Sequence, residues 1–591
     1  MEQALISVFD KRGVVELARA LQQHGVSIIS TGGTFKTLTQ EGVPVTQVSD
    51  ITHFPEILDG RVKTLHPHIH GGLLAKTNQN HHVEDLNKHG IKPIQLVATN
   101  LYPFEQTVAQ PNISLDVALE NIDIGGVAMI RAAAKNFEHV LILVDPSDYT
   151  WVIERVNNGG GLSSITLSER KKLALKAFQH TASYDSAISS YLASVDEKGV
   201  NTKEANYSDV EIRRYEHEFT LKYGCNPHQN PSGIFSVKGH PLPFKVLNGT
   251  PGYINLLDAL NAWQLVKELK QSTGLAAAAS FKHVSPAGAA VSVPLTQEER
   301  EIYEVGDKQL TDASIAYIRA RNADPIDVVD EATAQILKIE VSDGIIAPGF
   351  EEKALEVLKA KKGGKYIVIQ VDPNYNAPLH EFREVFGVVF AQKRNDTLIT
   401  LDHLKDVVTK KKELSDDAKR DLLVATITLK YTQSNSVGYA KNGMMIGVGA
   451  GQQSRVDCAK LAGKKLSNWW LRFHPKIRGI KFNAGTKRVD RINTRVHVID
   501  DTLSSEDNKI MTEPAQTLTQ EEKDQWLSQL HQVSLSSDAF FPFRDSIDVC
   551  SKLGVDYIAQ PGGSVQDDNV TQACDEYGMV MANTGVRLFH H

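Results

Sequence analysis

Val26-Ser27-Ile28-Ile29-Ser30-Thr31-Gly32-Gly33-Thr34 carries an apolar run straight into two glycines flanked by hydroxyl-bearing residues. Residues 26–30 read as a buried strand, and residues 35–41 read as the helix that follows it. The same alternation extends outward. Residues 4–8 are an apolar run of strand length, residues 14–24 an amphipathic helix, and residues 96–100 and 140–144 further buried strands. Short strands alternating with helices predict an α/β fold with a mostly parallel sheet covered on both faces. Ligands of such sheets bind beyond the carboxyl ends of the strands. The unusual residues of this part of the chain fall there.

At 591 residues the chain exceeds what one hydrophobic core organises, so at least two domains are expected. Residues 194–209 are polar and aperiodic, which places a boundary between a domain over 1–198 and a larger one over 199–591. From Tyr223 onward α/β patterning resumes. A net charge of -7 argues against general nucleic-acid binding but not against anionic small molecules, which a few aimed lysines and backbone amides can hold. Cys225, Cys458, Cys550 and Cys574 are scattered, as free thiols of a reducing compartment would be. No metal site is expected from them. No basic segment leads into an apolar one at the amino terminus, and no run of about 20 apolar residues occurs. A cytoplasmic protein with no membrane partner is expected.

Four segments of the first domain carry chemistry. Ser30-Thr31-Gly32-Gly33-Thr34 sits between strand and helix, where glycines admit close approach and helix amino-terminal N–H groups suit a phosphate; a simple tight turn explains it equally well. In Gly60-Arg61-Val62-Lys63-Thr64-Leu65-His66-Pro67, alternation puts Arg61 and Lys63 on one face, either to meet an anion or merely to meet water. Asn100-Leu101-Tyr102-Pro103-Phe104 ends a strand. Ile122-Asp123-Ile124-Gly125-Gly126 leads into a helix bearing Arg131 and Lys135, a suitable anchor for a polar heterocycle. In the second domain, Lys222-Tyr223-Gly224-Cys225-Asn226-Pro227-His228-Gln229 comes first. Ala279-Ser280-Phe281-Lys282-His283-Val284-Ser285-Pro286-Ala287-Gly288 then places an adjacent Lys-His pair at the end of a buried run. That pair is a candidate acid/base site, or a surface lysine beside a structural histidine.

In this order and spacing, the first four segments resemble the IMP cyclohydrolase domain of the AICAR formyltransferase/IMP cyclohydrolase family. The resemblance continues through Val341-Ser342-Asp343-Gly344, Lys430-Tyr431-Thr432-Gln433-Ser434-Asn435-Ser436, Gly447-Val448-Gly449-Ala450-Gly451-Gln452-Gln453-Ser454-Arg455, Ser537-Asp538-Ala539-Phe540-Phe541-Pro542-Phe543-Arg544-Asp545 and the terminal Arg587-Leu588-Phe589-His590-His591. It implies a methylglyoxal-synthase-like domain followed by a transformylase region of duplicated cytidine-deaminase-like fold. Lys11, Thr31, Gly32, Gly33, Thr34, Arg61 and Thr64 would then surround the ribose phosphate and base, with Gly125 and Gly126 beside them. Lys63, Tyr102, Asp123 and Lys135 would carry ring closure of formyl-AICAR. In the second domain His283 would be the general base for formyl transfer to AICAR, with Lys282 stabilising the developing charge. Lys222, Tyr223, Asn435, Arg455 and Arg587 would hold the ribonucleotide, and Asp343, Phe540, Asp545 and Ser564 would help form the pocket for folate and nucleotide. The cosubstrate implied is 10-formyltetrahydrofolate, with no redox cofactor, and a site completed across a homodimer. A monovalent cation is left open. The His-x-Glu and Pro-Cys-x-x-Cys zinc signature of true deaminases is absent.

The chain departs from the family pattern at three places. Between Asp324-Pro325 and Val341-Ser342-Asp343 it is shorter and lacks the usual Ser-Phe-Gly segment. Lys222 stands where an arginine is usual, keeping charge without bidentate geometry. Phe9 and Arg12 flank Lys11 in place of a hydroxyl-bearing residue and a threonine, with Arg12 adding positive charge. A cyclohydrolase whose second domain is impaired is therefore the runner-up, and a non-catalytic nucleotide sensor the reading from another class. Gly447-Val448-Gly449-Ala450-Gly451 is not the dinucleotide fingerprint, and no Walker-type loop occurs.

Overall fold

The computed structural model describes residues 2–111, 113–196, 198–200, 210–320 and 328–591, with the backbone of residues 324 and 325. Residues 201–209 of the expected boundary segment, and 321–323 and 326–327 beside the shortened stretch, lie outside the described residues. The chain divides into two compact units, Met1–Arg214 and Tyr215–His591. Arg214 belongs to the first because its guanidinium donates to the Ser183 carbonyl at 2.9 Å and pairs with Glu105 at 2.9 Å. The division thus falls later than 198/199.

The first unit is built on five parallel strands, β1 (Gln3–Ile6), β2 (Ser27–Ser30), β3 (Thr46–Gln47), β4 (Leu96–Ala98) and β5 (Leu141–Leu143), in the order β3-β2-β1-β4-β5. Every residue of β1, β4 and β5 is buried, as strands covered on both faces must be. Helix α1 (Val14–Gln23) buries Val14, Leu17, Ala18 and Leu21, a stripe at helical spacing. Helix α2 (Gly32–Gln40) starts at Gly32, not at residue 35, so the glycine pair forms its first turn. Helices α3 (Gly125–Lys135) and α4 (Leu167–Leu192) cover the β5 side; α4 opens with a reciprocal Thr166–Glu169 capping box. The strand order reverses between β1 and β4, so the chain leaves those two strands in opposite directions and opens a crevice at their carboxyl ends.

The second unit begins with the hairpin β6 (Tyr215–Leu221) and β7 (Ser232–Val237), then β8 (Phe244–Asn248) and α5 (Tyr253–Thr273). The strands β9 (Ala277–Lys282), β10 (Ser285–Val291), β11 (Asp324–Pro325), β12 (Gly344–Ala347), β13 (Ile367–Val371), β14 (His380–Val385), β15 (Val388–Lys393) and β16 (Asp406–Val407) follow. After α6 (Asp416–Lys430) come β17 (Val437–Lys441), β18 (Met444–Gly449), α7 (Arg455–Leu471), β19 (Val533–Ser537), β20 (Val555–Gln560) and β21 (Val580–Asn583). The main sheet runs β11-β9-β10-β18-β17-β19-β20-β21-β16, parallel only through β19, β20 and β21. A second sheet runs β12-β13-β8. A helix followed by a hairpin occurs twice, as α5-β9-β10 and α6-β17-β18, and β10 pairs antiparallel with β18. Three cysteines, Cys458, Cys550 and Cys574, are buried free thiols, and Cys225 is exposed. Among the described residues no helix is long and apolar enough to cross a membrane.

Candidate active site

In the first unit a cavity of about 750 Å³ opens at the crevice described above, within the usual range for small-molecule sites. Its walls come from the ends of β1, β2 and β4, the first turns of α2 and α3, and the segment 59–64. Lys11, Thr31, Gly32, Gly33, Thr34, Arg61, Lys63, Thr64, Tyr102, Asp123, Gly125 and Gly126 all line it. Lys135 does not. It is exposed in the last turn of α3, six residues and so about 9 Å of helix beyond Met129, the last residue of α3 in the lining. Of the expected set Lys63, Tyr102, Asp123 and Lys135, Lys135 is thus the member outside the lining.

Two ammonium groups stand over the start of α2. A Cβ at Gly33 would lie 3.6 Å from Lys11 Nζ, and one at Gly32 would lie 3.4 Å from Lys63 Nζ. Unpaired N–H groups of a first helical turn together with two cations form an anion site. Gly60 has a φ of 85° and makes room for Lys63, whose Cε would be 2.7 Å from any Cβ there. Lys63 pairs with Glu56 at 3.3 Å, and the other Glu56 oxygen accepts from Thr31 Oγ1 at 2.9 Å. Arg61 pairs with Glu120 across the rim. Thr34 ties the start of α2 to the loop after β1: its Oγ1 donates to the Val8 carbonyl at 2.9 Å and accepts from the Val8 N–H at 3.0 Å. Arg12 pairs with Asp10 and lies outside the lining, so the charge it adds is spent locally.

Phe9 and Tyr102 meet edge to face, 5.5 Å between ring centroids, and form an aromatic wall. Asn100 holds the neighbouring loop, its Oδ1 accepting from the N–H groups of Phe9 at 2.7 Å and Asp10 at 2.9 Å. Asp123 accepts the Gly126 N–H at 2.7 Å, while its own N–H donates to Tyr184 Oη at 2.8 Å. A Cβ at Gly126 would come 2.6 Å from the Asp123 carboxylate, so only glycine admits this approach. Burial raises the Asp123 carboxyl above its ordinary range, with the Gly126 N–H opposing, which suits a group that exchanges a proton. Burial pushes the Tyr184 hydroxyl up to about 12, so it remains a neutral donor, given to the Asn121 carbonyl at 3.0 Å. Glu56, Asn100, Glu120 and Tyr184 were not assigned roles from sequence. Only Asn100 lies in a segment that stood out there.

The Asp123 shift sets a stability test. A carboxyl with a raised folded-state pKa gives its full relative stability below the unfolded pKa and loses it as pH rises through the folded one. Asp123→Asn keeps an oxygen for the Gly126 N–H and removes the buried charge. It is expected to raise Tm at pH 7 and to leave Tm unchanged below about pH 3, read by thermal denaturation at both values. A variant no more stable than the parent at pH 7 contradicts the assignment.

In the second unit Lys282 and His283 occupy the tip of the β9–β10 hairpin, both exposed. A second cluster centres on Asp538, which is fully buried. Its carboxylate takes an ion pair from Arg455, the Ser434 hydroxyl at 2.6 Å and the Ser436 N–H at 3.0 Å. Arg455 also donates to the Ser436 carbonyl at 2.8 Å and to Asn435 Oδ1 at 3.1 Å, and Asn435 Nδ2 donates to the Gln452 carbonyl at 3.0 Å. The buried Arg455 guanidinium thus orients Asn435 and braces the Asp538 loop. The chain terminus is tied to the same loop by Leu588 N–H to the Asp538 carbonyl at 2.8 Å and His590 N–H to Ser434 Oγ at 3.0 Å. A long bond of 3.5 Å from the Gln433 N–H to Ser285 Oγ links this cluster to the hairpin.

Around the cluster, Phe540 and Asp545 are exposed. Ser564 is half-buried in a turn held by Asp567, and the exposed Arg587 lies 4.8 Å over the Phe589 ring. Lys222 and Tyr223 follow β6, and Asp343 precedes β12, where it pairs with Lys362 at 2.7 Å. Among the described residues no hydrogen bond joins these three to the Asp538 cluster. No group of three His, Cys, Asp or Glu side chains among the described residues is placed to hold a metal ion.

A parallel α/β domain with a cavity bearing two lysines at its carboxyl edge is followed by a mixed-sheet domain with an exposed Lys-His turn. The model of the AICARFT/IMPCHase bienzyme family matches residues 133–465, more than half of the chain, and that of the MGS-like domain matches residues 13–128. The chain belongs to the AICARFT/IMPCHase bienzyme family, whose members are bifunctional enzymes of purine biosynthesis with transformylase and cyclohydrolase activity. A solved structure titled "Crystal structure of ForH" is 37% identical over 32% of this chain and 97% of that chain, with a TM-score of 0.31.

Proposed function

We propose that the chain performs two consecutive steps: formyl transfer from 10-formyltetrahydrofolate to AICAR, then dehydrative closure of formyl-AICAR to IMP. The observation that carries this reading is the convergence of Lys11 and Lys63 on the first turn of α2, in a cavity that also presents Tyr102 and Asp123. Lys11, Arg61 and the α2 N–H groups bind the ribose phosphate, and Phe9 with Tyr102 flanks the base. An arriving anion competes with Glu56 for Lys63. In ring closure the carboxamide nitrogen attacks the formyl carbon. The formyl oxygen leaves as water, taking one proton from each of the two nitrogens. Lys63 polarises that oxygen, and Asp123, whose burial favours its protonated form, relays a proton. Holding both ends of one molecule in register supplies much of the acceleration.

In formyl transfer the AICAR amine bonds to the formyl carbon and the bond from that carbon to the folate nitrogen breaks. His283 takes the amine proton, Lys282 faces the developing oxyanion, and the folate nitrogen regains a proton. Lys222, Tyr223, Asn435, Arg455 and Arg587 hold the nucleotide, and Asp343, Phe540, Asp545 and Ser564 help form the pocket for folate and nucleotide. The repeated helix-hairpin unit supports a duplicated second domain, and the same reading makes the protein a cytoplasmic homodimer. Purified protein supplied with AICAR and 10-formyltetrahydrofolate is expected to form formyl-AICAR, and supplied formyl-AICAR is expected to give IMP. Ring closure without formyl transfer would remove the transformylase half and leave a cyclohydrolase.

A further inference from the structure

The β9–β10 turn is built against its own sequence. Lys282 pairs with Ser285, leaving His283 and Val284 as a two-residue loop in which both φ angles are positive, 55° and 60°. That geometry belongs to a turn ordinarily made by Asn-Gly or Gly-Gly. Here it carries an imidazole and a β-branched side chain, for which the left-handed region is strained. Something outside the hairpin must hold it.

The holding group is a carboxylate on α5. Asp258 Oδ1 accepts the Val284 N–H at 2.7 Å, the His283 N–H is also directed to it, and its charge faces the His283 side chain. The hairpin cannot relax sideways, because α5 packs on both β9 and β10. The far end of the turn is fixed as well. A bulge falls between Pro286 and Gly288, and a Cβ at Gly288 would stand 2.6 Å from the Ala320 carbonyl. Strained residues at a turn tip, fixed by one half-buried acceptor, are how a fold aims a reactive side chain.

We propose that Asp258 is a positioning residue for formyl transfer: by accepting the turn's N–H groups it keeps His283 at the hairpin tip in the left-handed conformation that presents its imidazole to the amine. The assignment rests on the transformylase reading given above. It distinguishes what the acceptor does from what the charge does. Asp258→Asn keeps an oxygen for the Val284 N–H, whereas Asp258→Ala removes it.

The test is steady-state formyl transfer by the full chain and by Asp258→Ala, Asp258→Asn and the double variant Asp258→Ala/Val284→Gly, with ring closure as the control for folding. Asp258→Ala is expected to lower kcat roughly tenfold to a hundredfold, the range for losing a charge-assisted hydrogen bond, with KM for AICAR within about twofold. Asp258→Asn should retain most of the rate. Val284→Gly in the alanine background should recover much of the loss, because glycine takes positive φ without strain. A merely structural aspartate would not be rescued by a glycine in the turn. An alanine variant within about twofold of the parent in kcat, or a double variant no better than the single one, would overturn the proposal. If the parent enzyme transfers no formyl group, the transformylase reading fails first. The crystal structure of Asp258→Ala then decides: relaxation of φ at 283 and 284 supports the assignment, and an unchanged turn refutes it.

Discussion

Lys63→Ala is expected to slow ring closure by about 10²–10⁴-fold while formyl transfer proceeds at the parental rate. The size follows from where Nζ sits. It stands over the first turn of α2, beside Gly60 and Gly32, and reaches the same cavity as Tyr102 and Asp123. A cation placed at a departing oxygen acts mainly on the transition state, so the loss should fall on kcat more than on KM. Lys11 remains as the cation over Gly33, so phosphate binding should be weakened and not lost.

The fold should not suffer. Lys63 is partly exposed, and its ion pair with Glu56 at 3.3 Å is of the kind worth at most about 1 kcal/mol, so Tm should move little. Lys63→Arg separates charge from shape, since guanidinium keeps the sign but replaces a compact donor with a planar fork. It should bind substrate nearly as well as the parent and turn it over slowly. Loss of both activities in folded Lys63→Ala, or ring closure within about threefold of the parent, would mean the cavity is not the cyclisation site.

The distribution of what sequence revealed has a physical cause. The apolar runs at 4–8, 26–30, 96–100 and 140–144 announced β1, β2, β4 and β5 because strands buried on both faces must be apolar throughout. The residues after those strands share a cavity because parallel strands all end at one edge. Lys135 had the right neighbours in sequence but sits exposed in the last turn of α3, beyond Met129, the last residue of that helix in the lining. Partners supplied from far along the chain left no local mark. Tyr184 reaches Asp123 across 61 positions, and Asp538 reaches Arg455 across 83. The start of α2 was read late because glycine is a poor helix former, yet Gly32 and Gly33 form the turn whose N–H groups the site needs.

His283→Asn is expected to lower formyl transfer by about 10²–10⁴-fold with ring closure unchanged, the mirror of the Lys63 result. Asparagine is the informative replacement. His283 has a φ of 55°, and asparagine takes the left-handed region more readily than most residues, so the turn and the Val284 N–H bond to Asp258 should persist. What is lost is the imidazole, the side chain in the hairpin proposed as general base. Because the side chain is exposed, its removal opens no cavity in the core, and Tm should stay within a few degrees of the parent. Lys282→Ala separates the neighbouring role: it removes the cation proposed to face the oxyanion while leaving the proposed base, and should cost less than His283→Asn. If His283→Asn transferred the formyl group within about threefold of the parent, the base would have to lie elsewhere. The strain in the β9–β10 turn would then serve the fold alone.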